Sequence, residues 1–188
     1  MSGLTRLVHR WEGKEPRGRG SPRRLCSLLL AIPKGGEGIC RDRSRDVHVH
    51  GSTSAHEPPH FEEVPALYTD YLAWLNTEIE KVQANDREGG VLRFAAEAHT
   101  KLVKAHVWGD GNGRTARAVT NIVLKHCQQH QVLFETVPRP EYMRAVGDAL
   151  DGNPQNFENL LNGLLRAAED AYMTAVHEKP GPSGHQTG

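Results

Sequence analysis

Residues 91–129 read "VLRFAAEAHTKLVKAHVWGDGNGRTARAVTNIVLKHCQQ", two runs of helical periodicity parted by a glycine-rich turn. In the first run Val91, Phe94, Ala95, Ala98, Leu102 and Val103 recur three and four apart, the spacing of one apolar helix face. In the second, Ala116, Val119, Thr120, Val123 and Leu124 repeat it, which predicts a helix from about residue 112 to residue 129. The turn itself, "HVWGDGNGRTAR" at residues 106–117, is the densest run of chemically active groups in the chain. It follows a helix, whereas the dinucleotide-binding turn and the P-loop both need a strand in front of them. Those two classes are excluded, and a helix–turn–helix core is expected.

Working outward, "HEPPHFEEVPALYTDYLAWLNTEIEKV" (residues 56–82) enters through prolines and becomes a helix with Leu67, Tyr71, Leu72, Trp74 and Leu75 on its apolar face. "NDREGG" ends it. Downstream, "PRPEYMRAVGDAL" carries proline at a helix start, and "NPQNFENLLNGLLRAAEDAYMTAVHE" forms a last long helix. Upstream, Val47 and Val49 alternate with His48 and His50 before Gly51 and Ser52, the period-two pattern of a short strand or hairpin arm. The expected fold class is all-α with one small β-hairpin. Residues 1–24, basic and rich in Gly, Pro and Arg, are expected to be a disordered or incomplete N-terminal segment. Residues 25–178 form the domain, and residues 179–188 a disordered tail.

The 188 residues suffice for one domain with its own core. Lys+Arg and Asp+Glu are both 23, and the pI is about 7.2, so no overall basic field exists to hold nucleic acid or an anionic membrane. Any anion must be bound locally. Cys26, Cys40 and Cys127 are odd in number and far apart, which argues against a disulfide framework or a zinc site and fits a reducing, cytoplasmic compartment. A secreted effector is the alternative. "RRLCSLLLAIP" (residues 23–33) is too short to span a bilayer and lacks a small-x-small cleavage site, so it reads as a buried helix.

The turn can cradle phosphate. Gly109, Gly111 and Gly113 permit close backbone approach and positive φ, so successive N–H groups can converge at a helix N-terminus whose dipole favours an anion. Arg114 and Arg117, three apart, lie on one face beside that cradle, where guanidinium forks grip phosphate oxygens. Two arginines and a nest suit a polyphosphate. Asp110 is a hard oxygen ligand for Mg²⁺ shared with substrate oxygens. Asn112 can donate to a phosphoryl oxygen, and His106 can take a proton from an attacking hydroxyl. Seven other histidines, His56, His60, His99, His126, His130, His177 and His185, show no metal-ligand spacing.

These twelve residues resemble the signature of the Fic (filamentation induced by cAMP) family, H-P-F-x-[D/E]-G-N-G-R-x-x-R. Val107 stands for the usual proline and Trp108 for phenylalanine. The resemblance extends over roughly residues 36–175, and the intact GNG points to the protein adenylyltransferase branch rather than the related Doc kinases. It implies transfer of AMP from ATP to a Ser, Thr or Tyr hydroxyl of a target protein, with Mg²⁺ and release of pyrophosphate. By motif position His106 is then the general base, Asp110 the Mg²⁺ ligand and Asn112 a stabiliser of the α-phosphate. Gly111 and Gly113 supply the anion hole, Arg114 holds the β-phosphate and Arg117 the γ-phosphate. Tyr142 falls where the family has an aromatic near the adenine. The hairpin at residues 47–52 corresponds to the family's flap, which docks the protein substrate by adding a strand.

Many family members are restrained by [S/T]-x-x-x-E-[G/N], whose Glu pairs with the second motif arginine. "VHRWEG" offers Glu12 without the Ser or Thr, and "TAVHEK" offers Glu178 with Lys179 in place of Gly or Asn. Three alternatives to AMP transfer stay open: removal of AMP from modified proteins, transfer of another phosphate-linked group such as UMP or phosphocholine, and non-catalytic ATP binding. Neither nucleic acid nor a membrane is expected as a partner, and a homodimer is left open.

Overall fold

Pro65 fixes the backbone of the first turn of helix α1, Val64–Gln83, where its missing N–H costs nothing. In the computed structural model, which describes residues 57–84 and 90–177, four more helices follow. These are α2 (Gly90–Ala105), α3 (Asn112–His126), α4 (Arg139–Leu150) and α5 (Gln155–His177), with a single 3-10 turn, Phe134–Thr136, leading into α4. No strand occurs among the described residues, in keeping with an all-α domain. The expected hairpin at residues 47–52, the buried helix at 23–33, both domain ends and the candidate inhibitory residues Glu12 and Glu178 lie outside them. No helix among the described residues is long and apolar enough to cross a membrane.

Helix α2 is the centre of the bundle, packed against α3 and also touching α1, α4 and α5. Small residues make this possible: Ala95, Ala96 and Ala98 are buried on α2 and Ala116 on α3, so the two helix backbones approach closely. Larger side chains fill the space around them, with Phe94, Leu102, Leu124, Phe157 and Leu161 all without exposed surface. The expected inward set on α3, Ala116, Val119, Thr120, Val123 and Leu124, is fully buried.

Three sequence expectations change. Leu67 is 38 % exposed and Tyr68 is buried in its stead. The core face of α1 runs through Val64, Tyr68, Tyr71, Leu72, Leu75 and Ile79, and Leu67 stands one residue, about 100°, off it. Val91 and Val103 on α2 are half-buried edges of the apolar face, whose centre also contains His99. Helix α3 stops at His126 rather than near residue 129. Gln128 adopts φ 60°, its N–H donates to the Lys125 carbonyl, and the Gln129 N–H reaches back to Leu124. This is a Schellman cap with glutamine where glycine is usual, which leaves no stop signal in the sequence.

Candidate functional site

Helix α2 ends on a histidine. The His106 N–H is shared between the Leu102 and Val103 carbonyls, and its φ of 45° is left-handed, the conformation that caps an α-helix. Outside glycine this conformation is uncommon and costs of order 1–2 kcal/mol. Neighbouring residues hold it in place. Val107, where the family pattern has proline, is fully buried, and half-buried Trp108 sets its ring edge-on against Tyr68 of α1 at 5.6 Å.

Asn112 closes the turn. Its side-chain Oδ1 accepts from the Trp108 N–H at 3.0 Å and its Nδ2 donates to the Trp108 carbonyl at 2.6 Å. The buried amide therefore staples the start of α3 to the residues just after His106. Of the three turn glycines only Gly111 has positive φ, 85°, and it is the N-cap residue of α3. Gly109 and Gly113 do not use the positive φ open to them, and Gly113 already lies inside the helix. No side chain caps α3, so its first N–H groups stay available where the dipole is most positive.

The turn opens onto a cavity of about 660 Å³. His106, Asp110, Gly111, Asn112, Gly113, Arg114, Arg117 and Tyr142, the whole expected site set, all line it. Two features were not foreseen. Arg139 at the start of α4 adds a third guanidinium, with Glu135 close by on the same wall. Val103, Phe134, Val137, Met143 and Val146 add apolar lining to the same cavity. The face of α4 was readable in principle, because Arg139, Tyr142, Met143 and Val146 recur at helical spacing. Which side of the bundle it meets was not. A second concavity of about 710 Å³ lies between α4 and α5, lined by Glu141, Arg144, Asp148 and Asn156, and none of the glycine-turn residues reaches it.

Asp110 and Arg114, expected as separate ligands, face each other across one helical turn at 2.9 Å. With the carboxylate side chain 90 % exposed and the arginine 56 %, such a pair is worth well under about 1 kcal/mol, so an incoming anion or cation can part it at little cost. Arg117 lies over the Tyr142 ring at 5.4 Å. Tyr142 is buried and in edge contact with His99, Phe134 and Phe157. Burial raises the pKa of its hydroxyl, against the opposing pull of the Arg117 guanidinium.

Sequence reasoning passed over His99. It has no exposed surface, and its ring nitrogens meet Thr120 Oγ1 at 3.0 Å and Tyr142 Oη at 2.9 Å. Loss of water around the ring, reinforced by the charge on Arg117 and opposed by the Ala116 backbone, lowers its pKa from 6.5 to about 3. A histidine in the middle of an alanine-rich apolar face was the available signal.

Gly113 separates the cradle's architecture from its use. A methyl group there would meet Arg117 Nη1 at 3.6 Å and Tyr142 Oη at 4.0 Å, ordinary contacts, in a helical backbone that alanine prefers. Gly113→Ala should therefore leave the fold intact and raise its stability by about 0.5–1 kcal/mol. The same methyl occupies the floor on which phosphate oxygens would rest, so affinity for inorganic tripolyphosphate should fall about tenfold or more. Thermal melting with and without tripolyphosphate reads both effects. Equal tripolyphosphate affinity in the two proteins would disqualify the cradle.

Comparison with known proteins places this geometry. The sequence pattern of the Fic/DOC family matches residues 24–124, just over half of the chain. A protein from Culex quinquefasciatus named Protein adenylyltransferase Fic is 29 % identical over 140 residues, covering 74 % of this chain and 26 % of that protein. Proteins of the same name from Drosophila mojavensis and Drosophila grimshawi are each 30 % identical over 138 residues, 73 % of this chain and 26 % of theirs. The chain thus spans about a quarter of the length of the curated relatives it matches.

Proposed function

Since the chain belongs to the Fic/DOC family, we propose that its cavity binds ATP and transfers AMP to a Ser, Thr or Tyr hydroxyl of a target protein. The observation that carries this is convergence: the imidazole, the uncapped N-terminus of α3 and the arginines of its first turns line a single cavity of about 660 Å³, room enough for a nucleotide. The relatives' name, protein adenylyltransferase, supports the choice of reaction.

In this reaction the target hydroxyl oxygen bonds to the α-phosphorus while the bond from that phosphorus to the β-bridging oxygen breaks. His106 takes the hydroxyl proton, and the electron pair leaves with pyrophosphate. Arg114 and Arg117 hold the β- and γ-phosphates, so they bind the leaving group as charge builds on it. The N–H groups of Gly111 and Gly113 stabilise the α-phosphate oxygens. Asn112 has one amide hydrogen beyond the one given to Trp108, and that hydrogen serves the α-phosphate. Its main contribution is to hold His106 and the cradle at fixed separation. The adenine fits against Met143, Val146 and the exposed edge of Tyr142.

Among the described residues no group of three His, Cys, Asp or Glu side chains could hold a metal alone. Asp110 fits Mg²⁺ only as one exposed carboxylate sharing the ion with nucleotide oxygens, which suits an ion that keeps most of its shell as water and phosphate. When bound, the ion would neutralise charge on the phosphates. Docking of the target at residues 47–52, a homodimer and a cytoplasmic setting belong to the same proposal. So does a domain spanning residues 25–178, supported by helices that share one core up to Leu165 of α5.

The test is incubation of the purified chain with a cell lysate and ATP labelled on either the α- or the γ-phosphorus. The α-label should become covalently attached to protein and the γ-label should appear in pyrophosphate. Attachment of the γ-label would mean a kinase. ATP bound without either product would mean a binding module.

A further inference from the structure

One arrangement of protons gives every buried polar side chain behind the cavity a partner. The Thr120 hydroxyl has a single hydrogen, which it donates to the Ala116 carbonyl at 2.9 Å. At its contact with His99 Nδ1 it must then accept, so Nδ1 carries the imidazole hydrogen. The ring is neutral in its dry surroundings, which leaves Nε2 bare to accept the Tyr142 O–H at 2.9 Å. With its hydrogen turned inward, the Tyr142 oxygen leaves its lone pairs on the side of Arg117, whose guanidinium lies over the same ring at 5.4 Å. Every donor points the same way, from Tyr142 through His99 and Thr120 to the backbone of Ala116, next to the arginine that covers the Tyr142 ring.

We propose that His99 is a positioning residue: by fixing the direction of the Tyr142 hydroxyl it sets the Arg117 guanidinium toward the far end of the polyphosphate. The proposal rests on the reading of Arg117 as the γ-phosphate ligand. The circuit passes through α3, α4 and α2, so the three helices that wall the cavity share one orientation of this arginine. Arg93 and Arg114, each paired with a carboxylate four residues away on the surface, are not tied into a buried circuit of this kind.

The experiment compares ATP with ADP on the full chain. His99→Leu removes both ring nitrogens, and His99→Gln returns an acceptor near Nε2. Calorimetry should show ATP affinity falling about tenfold in His99→Leu with ADP affinity changed by less than about threefold, and most of the ATP affinity returning in His99→Gln. Equal losses for both nucleotides, or loss of thermal stability alone, would reduce His99 to a core residue. Should His99→Leu not fold, Tyr142→Phe removes the same acceptor at the arginine and should reproduce the selectivity.

A second readout needs no nucleotide. The Arg117 Nε–H signal in a ¹⁵N-labelled chain should be distinct and slowly exchanging in the wild type and in His99→Gln, and averaged with the exposed arginines in His99→Leu. An unchanged signal overturns the proposal even if ATP binds. A wild-type chain that keeps this signal but binds no ATP would instead overturn the proposed function, and with it the phosphate-directed role of His99, leaving only its restraint of Arg117.

Discussion

If the proposed transfer holds, His106→Ala should lower AMP transfer by about 10²–10⁴-fold, the range expected for losing a positioned general base, and should leave ATP affinity within about twofold of wild type. The two parts are linked by the backbone. Histidine and alanine both carry a Cβ, so each bears about the same cost at the left-handed helix cap, and the shared hydrogen bond to Leu102 and Val103 is made by the main chain. Val107 and Asn112 hold the turn without the imidazole. What disappears is the proton acceptor. Initial rates with α-labelled ATP, paired with calorimetry, check both halves. Transfer that persists at wild-type rate would move the base elsewhere, and a parallel loss of binding would make His106 a ligand of the nucleotide.

The second large effect is on stability. Because the folded protein holds His99 neutral, with a pKa of about 3 against 6.5 when unfolded, the unfolded chain binds the extra proton anywhere between those values. Stability is thus fully present above about pH 6.5 and falls as the solution is acidified, by about 1.4 kcal/mol per pH unit from this one residue. From pH 6.5 to 4.5 that amounts to roughly 2–3 kcal/mol, a sizeable part of the 5–15 kcal/mol typical of a domain. His126, whose pKa burial also lowers, acts in the same direction. Urea midpoints at pH 7 and pH 4.5 measure the loss, and His99→Gln, which cannot take the proton, should show a loss smaller by about that amount. Equal acid sensitivity in both proteins would mean that His99 does not remain neutral.

Much of the fold could be read from the sequence because apolar periodicity and glycine placement act locally. The α2–turn–α3 unit followed from residues spaced three and four apart, and so did the inward set on α3. Leu67 failed because hydropathy ranks leucine above tyrosine. The bundle instead selected Tyr68, whose ring meets Trp108 from the following turn. Gln128 failed because a left-handed cap built on glutamine leaves no mark in composition.

The candidate site was legible as a set of residues and much less so as a set of contacts. Every expected site residue reaches the cavity: residues 106–117 because the turn is too short for its members to separate, and Tyr142 because α4 packs beside it. Asn112 and the Asp110–Arg114 pair are occupied by partners four residues away. That spacing was visible, but reading each residue for what it offers a ligand hid what it offers its neighbours. His99 and Arg139 join the site only through tertiary packing, which brings α4 alongside α2 and α3. No local pattern encodes that.

The last turns of α5 have a different character from the rest. Beyond Leu165 the helix continues to His177 almost wholly exposed, with Tyr172, Met173 and Val176 each about half accessible and a ring contact between His130 and Tyr172 at 5.0 Å. Few buried contacts oppose its opening, so its amide hydrogens should exchange with solvent through local fraying. Those of α2 and α3 should wait for global unfolding. Local stability is graded accordingly, highest in the buried faces of α2 and α3 and lowest at this projecting end. Opening of this end therefore leaves the spacing between His106 and the start of α3 unchanged.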